Sequence, residues 1–455
     1  MAILNDTIAA ISTAPGEGGI AIVRVSGPES LPVADMIFKC SPPRPSERPA
    51  PAVVYGHVVS KGTVLDEALL LVMRAPRSYT REDVVEFHCH GGTISAKKIL
   101  RAILRQKIRL AEPGEFTRRA FLNGRIDLLQ AEAVLDLIRA QTDRGAAAAV
   151  EQMDGALSAS FNDIYDVILQ ACADVEATLD FIEDELPDSV VPGIAERLKG
   201  ALHKIDAVLE TWDEGHVLRD GALVVISGKP NVGKSTLLNA LSGRNRVIVS
   251  PIPGTTRDVV EEQIAIDGIP VRLIDTAGLR LSECCLEQEG VRRAKQQMEL
   301  ADINLHVFDA SVRLQPDDYE NIKTLDYKRT IIVLNKIDLG LAISLSTFDG
   351  YAFLQTQVND NKGIIEIKKE IINKLGVQKG RMHKCVISER HRNILRDTQS
   401  DLEEAVTMLC SHDESCLILA ASKIRNALEC IARATGKKYY QELLDSIFNR
   451  FCIGK

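Results

Sequence analysis

The residues best suited to chemistry form one octapeptide at 228–235, Gly-Lys-Pro-Asn-Val-Gly-Lys-Ser. This spacing is that of a phosphate loop, whose glycines let the backbone wrap a polyphosphate with amide groups pointing inward. Lys234 would act as a catalytic cation at the β- and γ-phosphates, and Ser235 would hold Mg²⁺. The nucleotide-binding residues predicted here are Asn231, Val232, Gly233, Lys234, Ser235 and Thr236.

A phosphate loop needs a strand before it and a helix after it, and the sequence supplies both. Residues 223–226 are an apolar run typical of a buried strand, and residues 236–241 have a helix-like pattern. The N-terminus of that helix would add positive potential at the phosphates. A glycine-rich turn that carries a lysine by chance is the weaker alternative, because both flanks are present.

Two later motifs extend the nucleotide chemistry. Asp275-Thr-Ala-Gly278 closes a predicted strand, so its carboxylate can act on Mg²⁺ through water and its glycine N–H can reach the γ-phosphate. Asn335-Lys-Ile-Asp338 follows an apolar strand, and a carboxylate there accepts two hydrogens from guanine that adenine lacks. The sequence therefore predicts GTP, bound through Asp275, Thr276, Ala277, Gly278, Asn335, Lys336 and Asp338.

The loop between these motifs, Pro253-Gly-Thr-Thr-Arg-Asp258, has the features of a switch. Thr255 or Thr256 could complete the Mg²⁺ shell when a γ-phosphate is present, and the loop would be released on hydrolysis. Leu279 stands where Ras-like enzymes place a glutamine that orients water. Acidic residues at 283–289 could replace it, although a solvated loop is the simpler interpretation from these residues alone.

Composition limits the class of protein. The chain has 455 residues, 45% hydrophobic and 26% charged, which is typical of a soluble globular protein of about three domains. No apolar run reaches the length of a membrane span, no secretory signal is evident, and ten scattered cysteines indicate reduced thiols in the cytosol. A net charge of −8 and one tryptophan give no overall attraction to nucleic acid and no base-stacking platform.

The pattern of apolar residues divides the chain into four segments. Residues 1–120 have strand-like runs of an α+β domain, 121–218 are helical, 219–378 alternate strand and helix, and 379–455 are helical again. Strands are predicted at 222–227, 270–275, 303–308 and 330–334, and the last helix at 437–451. The simplest architecture joins the two helical segments into one discontinuous domain, with the α/β domain inserted between them. The predicted fold class is therefore multidomain α/β with an inserted Ras-like P-loop domain.

The chain resembles the MnmE (TrmE) family of tRNA-modification GTPases over nearly its whole length. The resemblance rests on residues 6–10, 18–27, 79–92, 113–128 and 451–455, together with the GTPase motifs. It implies an N-terminal folate-binding domain, a homodimer formed through that domain, and a cytoplasmic location. It also implies an FAD-containing MnmG partner in a heterotetramer that modifies C5 of the wobble uridine of certain tRNAs. The one-carbon unit would come from 5-formyl- or methylene-tetrahydrofolate.

The resemblance also assigns roles to individual residues. Potassium would stimulate hydrolysis through a site made by Asn231, Ser250, Ile252 and Thr255, where a cation acts like an arginine finger. Ser235 and Thr256 fall at the Mg²⁺ positions. Glu287 matches the catalytic glutamate, which acts through water and supplies what Leu279 lacks.

Folate binding is implied at Arg24, Glu86, Arg125 and Lys455. A carboxylate can pair with pterin N–H donors, and basic groups can hold the glutamate tail. Cys452 lies in the C-terminal motif, as a nucleophile or as a structural thiol.

Residues 355–363 lack the Ser-Ala pair expected next to guanine, which predicts altered contact with the base rather than its absence. Two alternatives remain from the residues: a regulatory GTPase such as a ribosome-assembly switch, and an N-terminal domain that serves only dimerisation.

Overall fold

The computed structural model describes residues 6–180, 189–243, 261–275, 296–377, 386–411 and 414–455. The chain divides into two compact units. Unit 1 combines Met1–Leu135 with Glu429–Lys455, and unit 2 is Asp136–Leu428. Among the described helices, none is both long enough and apolar enough to cross a bilayer.

Helices in the described residues run in chain order as follows. They are α1 (Ser30–Ile37), α2 (Thr93–Leu104), α3 (Glu115–Leu122), α4 (Leu128–Arg139), α5 (Asp143–Met153), α6 (Ala156–Asp180), α7 (Val190–Leu209), α8 (Trp212–Asp220), α9 (Lys234–Ser242), α10 (Pro316–Thr324), α11 (Ile364–Lys374), α12 (Glu389–Leu409), α13 (Glu414–Thr435) and α14 (Gln441–Phe448).

A seven-stranded sheet organises unit 1. Its strands are β1 (Ile8–Ile11), β2 (Ile20–Ser26), β3 (Phe38–Cys40), β4 (Ala52–Ser60), β5 (Thr63–Met73), β6 (Val84–His90) and β7 (Arg109–Leu110). Their order across the sheet is β3-β4-β5-β6-β2-β1-β7, antiparallel except for the β1–β7 pair. The register of β2 against β6 places Arg24 directly opposite Glu86.

The core of unit 1 forms where α1 and α2 pack on this sheet. In α2 the buried residues Ala96, Ile99, Ala102 and Ile103 recur at helical spacing and contact the strands with their apolar face. Such burial contributes roughly 25 cal/mol for each Å² of apolar surface removed from water. The predicted α+β character of the N-terminal segment is confirmed.

The last residues of the chain close unit 1. Ile453 forms an isolated antiparallel bridge with Pro113, and the Phe116 N–H donates to the Lys455 carbonyl oxygen at 3.1 Å. Gly454 has a φ of 99°, and a Cβ there would lie 2.3 Å from the Ile11 carbonyl oxygen. Only glycine lets the backbone approach so closely at that conformation.

A six-stranded sheet organises the α/β part of unit 2. Its strands are β8 (Ala222–Ser227), β9 (Glu261–Ile266), β10 (Ile269–Asp275), β11 (Ile303–Asp309), β12 (Thr330–Asn335) and β13 (Ala352–Gln355), in the order β13-β12-β11-β8-β10-β9. Five of them are parallel, and β8 and β12 are buried along their whole length. This is the predicted P-loop α/β fold.

One edge of this sheet differs from the purely parallel pattern of the sequence prediction. Strand β9 pairs with β10 in antiparallel register. Asp267 and Gly268 connect them with φ values of 50° and 79°, which is the left-handed turn that Asp-Gly favours in a hairpin.

Helices from both sides of the α/β part pack together within unit 2. Helix α7 contacts α6 and α12, and each of the three helices has a fully buried large apolar residue, Leu198, Phe161 and Leu395 respectively. The Ser388 side chain caps α12 by accepting from the His391 N–H at 3.2 Å. The prediction of one helical region that is discontinuous in sequence is confirmed.

Candidate functional site

The phosphate loop lies between β8 and α9, as the sequence predicts. Gly228 has a φ of 135°, and a Cβ there would lie 2.4 Å from the Val307 carbonyl oxygen. Gly233 has a φ of 102° and precedes α9 directly. Asn231 also adopts a left-handed conformation, with a φ of 64°. This backbone path presents the N-terminus of α9 to an anion.

Two side chains at the start of α9 have the chemistry of a nucleotide and metal site. Lys234 is only 6% exposed, and its Nζ donates to the Lys229 carbonyl oxygen at 2.7 Å. The Ser235 hydroxyl donates to Asp275 Oδ2, also at 2.7 Å. A hydroxyl and a carboxylate together at a phosphate loop are the hard oxygen donors that Mg²⁺ prefers, so these residues fit that ion.

Two hydrogen bonds join Asn335 and Lys336 of the base-binding motif to the phosphate loop, and a third joins Lys336 to β11. Asn335 Nδ2 donates to the Val232 carbonyl oxygen at 2.9 Å. Lys336 Nζ donates to the Asn231 carbonyl oxygen at 2.8 Å and to Asp309 Oδ2 at 2.7 Å. Desolvation raises the pKa of the Asp309 carboxyl, but the hydrogen bonds from Lys336 and Ser311 outweigh it, so the net pKa lies below its usual value.

These motifs enclose a cavity of about 750 Å³, which is the size of a small-molecule site. One part of the cavity is lined by Gly233, Lys234 and Ser235 of the phosphate loop. Another part is lined by the base-binding motif, through Asn335, Lys336 and Asp338. Val358 and Asn359, from the segment that departs from the usual base-contacting pattern, complete the wall. The Val358 N–H donates to Asn335 Oδ1 at 3.2 Å, so this segment is anchored to the base motif.

A second charged site lies in unit 1. Arg24 Nε contacts Glu86 Oε1 at 2.7 Å, and His88 Nε2 lies 3.2 Å from Glu86 Oε2. Glu86 is only 7% exposed. Arg24 Nη1 is buried and has no hydrogen-bond partner among the described residues. A buried guanidinium N–H without a partner is costly, and a polar ligand would satisfy it.

Aromatic rings and a lysine surround this pair. The Arg24 and Arg125 guanidinium groups lie 5.4 Å and 4.6 Å from the centroid of the Tyr79 ring. Lys455 is close enough that burial and the Arg24 charge lower its pKa, while Glu86 opposes that shift. Cations, a carboxylate and a ring surface fit a flat heteroaromatic group with an acidic tail, as tetrahydrofolate has.

Two family models match this chain. The model for the GTP-binding protein TrmE N-terminus matches residues 7–125, and the model for the MnmE helical domain matches residues 128–452. The second match alone spans more than half of the chain.

The chain belongs to the MnmE family of tRNA modification GTPases.

Full-length relatives agree with this assignment. The tRNA modification GTPase MnmE of Clostridioides difficile is 40% identical over 99% of this chain and 100% of that protein. The MnmE of Geobacter sulfurreducens is 43% identical over 99% of this chain and 100% of that protein.

Among solved structures, the G domain of the T. maritima FeoB iron transporter is 26% identical over 34% of this chain and 98% of that chain, with a TM-score of 0.26.

The structure brings together most of the residues expected to bind GTP in an MnmE protein. One cavity is lined by Asn231, Gly233, Lys234, Ser235, Thr236, Asn335, Lys336 and Asp338. Val232 contributes the carbonyl that anchors Asn335, and Asp275 contributes the partner of Ser235. Eight further residues lie outside the described part of the chain: Ser250, Ile252, Thr255, Thr256, Thr276, Ala277, Gly278 and Glu287.

The four residues implied for folate in the MnmE resemblance also come together. Arg24, Glu86 and Lys455 influence one another electrostatically, and Arg125 shares the Tyr79 ring with Arg24. Cys452 is an exposed free thiol near this segment of the chain.

Sequence reasoning missed a buried network beneath the phosphate loop. The Ser227 hydroxyl donates to Asn304 Oδ1 at 2.7 Å and lies 2.9 Å from His306 Nδ1. Because Ser227 has one hydrogen, His306 donates through Nδ1 when Ser227 donates to Asn304. Burial lowers the pKa of His306 to about 4; the Asp318 charge opposes this shift and the Lys234 charge adds to it, so the ring is neutral at pH 7. The sequence did show that Asn304 and His306 are two residues apart on β11, which places both side chains on the same face of the sheet.

Tyr79 and His88 in the second site were also missed. Glu86 and His88 share one face of β6 because residues two apart in a strand point the same way. That spacing was visible in the sequence, whereas the approach of Tyr79 was not.

Proposed function

We propose that this chain is a potassium-stimulated GTPase that modifies C5 of the wobble uridine of certain tRNAs with an FAD-containing MnmG-type partner. A tetrahydrofolate would supply the one-carbon unit, and GTP hydrolysis would drive a conformational cycle. The observation that carries this proposal is the buried Arg24–Glu86 pair with its unpartnered guanidinium N–H. A regulatory GTPase without modification chemistry has no use for such a site.

The GTP site would work by positioning and charge stabilisation. Lys234 would leave the Lys229 carbonyl oxygen and contact the β- and γ-phosphates, while Asp338 would select guanine. Ser235, with Asp275 behind it and Thr256 from the switch loop, would hold Mg²⁺. When bound, that ion neutralises charge on the phosphate oxygens.

The potassium site would lie beside the phosphate loop. Asn231 would supply one ligand, and its left-handed backbone is held in place by the bond from Lys336 to its carbonyl oxygen. Ser250, Ile252 and Thr255 would supply the others, and Glu287 would orient the attacking water. The cation would stabilise charge that develops on the phosphates, as an arginine finger does.

The folate site would use each of its polar groups differently. Glu86 would accept N–H donors of the pterin ring of 5-formyl- or methylene-tetrahydrofolate, and Tyr79 would pack on an aromatic group. Arg24 would offer its unpartnered Nη1, and Arg125 and Lys455 would attract the glutamate tail. The carboxylate of Glu86 has lone pairs beyond those used by Arg24 and His88, so it can accept a further hydrogen bond.

The proposed assembly is a homodimer through the N-terminal domains, joined by MnmG into a heterotetramer in the cytoplasm. An exposed apolar patch supports the dimer: Val53 and Tyr55 on β4 and Leu69 on β5 are 66%, 60% and 45% exposed. Tyr55 and Leu69 are directly opposite in register, so they form a continuous surface. The proposed domain boundaries are 1–120, 121–218, 219–378 and 379–455.

The test is GTP turnover by the purified chain in matched potassium chloride and sodium chloride. Stimulation by potassium alone would support the Asn231 site. Equal rates in both salts would leave a GTPase and remove the cation mechanism. Titration with 5-formyl-tetrahydrofolate then separates the proposal from a regulatory GTPase, which has no affinity for it.

A further inference from the structure

Unit 1 carries a stretch of chain with one sign of charge. From Phe87 to Ala111 there is no aspartate or glutamate, whereas Lys97, Lys98, Arg101, Arg105, Lys107 and Arg109 are all cationic. The whole chain has a net charge of −8, so this stretch runs against its average. Helix α2, of 12 residues, lies at its centre.

The structure places five of these cations on one exposed surface. The apolar face of α2 is already used, because Ala96, Ile99, Ala102 and Ile103 are buried against the sheet. The exposed cations, which we call the α2 basic face, are Lys97, Lys98 and Arg101 on α2 together with Arg105 and Lys107 directly after its C-terminal end. None of the five forms an ion pair with another described residue. Arg109 is different, because it is bound to Asp6 and Glu115.

The α2 basic face is unfavourable for the helix itself. Lys97 and Arg101, and Arg101 and Arg105, are four residues apart, and like charges at that spacing repel on a helix surface. The helix dipole favours cations at the C-terminal end, which accounts for Arg101 in the last turn and Arg105 at the C-cap but not for Lys97 and Lys98. Helix α11 shows the usual alternative, in which Lys368 and Lys369 are flanked by Glu366 and Glu370.

We propose that the α2 basic face binds the sugar-phosphate backbone of tRNA. An array of unpaired cations complements a polyanion, and neutralised phosphates release counterions, which favours binding. A lipid surface fits less well, because a membrane-bound helix inserts a row of apolar residues, and Ile94 is the one large apolar residue of α2 that is exposed. A symmetric contact with the same face of a second copy would bring cation against cation.

This inference rests on the proposed function, because it takes the tRNA of the modification reaction as the occupant. It adds that tRNA contacts this subunit directly, rather than only its partner. Phosphate contacts position a nucleic acid without reading its sequence, so the α2 basic face would orient tRNA and leave selection of the uridine to other groups.

The experiment measures binding of fluorescently labelled bulk tRNA to the full chain by anisotropy over a series of sodium chloride concentrations. The double variant Lys97→Ala/Lys98→Ala is compared with Lys368→Ala/Lys369→Ala, which removes an adjacent lysine pair at the same positions of α11. The first variant should weaken binding and lower the slope of log affinity against log salt by about 2. The second should match the wild-type chain.

Four results would overturn the inference: no binding by the wild-type chain, equal salt slopes in all three proteins, equal losses in both variants, or loss of binding to phosphatidylglycerol vesicles with tRNA binding unchanged. Thermal unfolding and GTP turnover of each variant show that it folds. The proposed function fails separately, through absence of potassium stimulation or folate binding in the wild-type chain.

Discussion

At the scale of single residues, Glu86 shows how burial gives a carboxylate a specific role. Its two oxygens are oriented by Arg24 and His88, and only 7% of the residue is exposed. Glu67, on the adjacent strand β5, is an exposed carboxylate that accepts a hydrogen bond from Tyr55 at 2.7 Å. The two residues have the same chemistry and different surroundings, which makes them a matched pair.

Glu86→Gln should therefore weaken binding of 5-formyl-tetrahydrofolate by roughly 10- to 100-fold, the effect of losing a charge-assisted hydrogen bond. GTP turnover should remain at the wild-type rate, and tRNA modification should be lost. Glu67→Gln serves as the control and should bind folate normally. Isothermal titration measures both affinities, and an unchanged affinity in Glu86→Gln would remove this residue from the site.

Glu287 lies outside the described residues, so its role stays a prediction from the sequence resemblance. Glu287→Ala should lower GTP turnover by about 100-fold or more, because a group that positions or deprotonates water contributes at least that much. GTP binding should persist, since Lys234 and Asp338 remain. Glu289→Ala in the same acidic segment is the control. Near-normal turnover by Glu287→Ala, measured by phosphate release, would contradict the role.

At the scale of elements, the sites built from one local motif were easier to predict than those built from residues far apart in sequence. The phosphate loop was predictable because one octapeptide carries the turn, the lysine and the hydroxyl. Strands β8, β10, β11 and β12 were predicted to within one residue at each end. The Arg24–Glu86 pair was implied only by family resemblance, because its members are 62 residues apart and meet through strand register. The final helix was predicted over 437–451 but spans Gln441–Phe448, since Gly436, with a φ of 83°, begins a turn before it.

His306 on β11 pairs with Ser227 at the end of β8, below the phosphate loop. Because His306 titrates, we expect the stability of the protein to depend on pH. The pKa of His306 is about 4 in the folded chain and about 6.5 when unfolded. The unfolded state therefore binds more protons between these values, so the free energy of unfolding falls as pH decreases through that window. Between pH 7 and pH 5, the protonation of His306 alone should lower the free energy of unfolding by about 2 kcal/mol.

His306→Asn retains a side-chain amide near Ser227 and removes the titration. Urea unfolding of the GTP-binding region at pH 7 and pH 5 should show a smaller shift of the midpoint in this variant than in the wild-type chain. His203→Asn, on helix α7, is the control and should behave as wild type. Identical pH shifts in all three proteins would show that His306 does not titrate in this window.

At the scale of the whole molecule, unit 1 is assembled from both ends of the chain. The segment 429–455 completes a unit that is otherwise made by the first 135 residues. Residues 453–455 contribute the Lys455 cation to the proposed folate site and the carbonyl oxygen that accepts from the Phe116 N–H. The α/β part of unit 2 has its own sheet and core, which do not depend on these residues.

Deletion of residues 452–455 should therefore abolish folate binding and leave GTP turnover near the wild-type rate. Lys455→Ala is the milder comparison, because it removes the cation and keeps the Ile453 bridge and the close approach of Gly454. It should weaken folate binding without lowering the thermal stability of unit 1, whereas the deletion should lower both. Retained folate affinity in the deletion variant would exclude a role for this segment.

The placement of Ile453–Lys455 against Pro113 and Phe116 has a consequence for biosynthesis. A ribosome makes the chain from its first residue onward, and domains generally fold as they emerge. The phosphate loop can fold and bind nucleotide while translation continues, whereas the proposed folate site cannot form until residues 453–455 have been made. A chain that stopped before residue 453 would retain the GTP site and lack the proposed site for a one-carbon donor, so folate binding would report that synthesis had passed this segment.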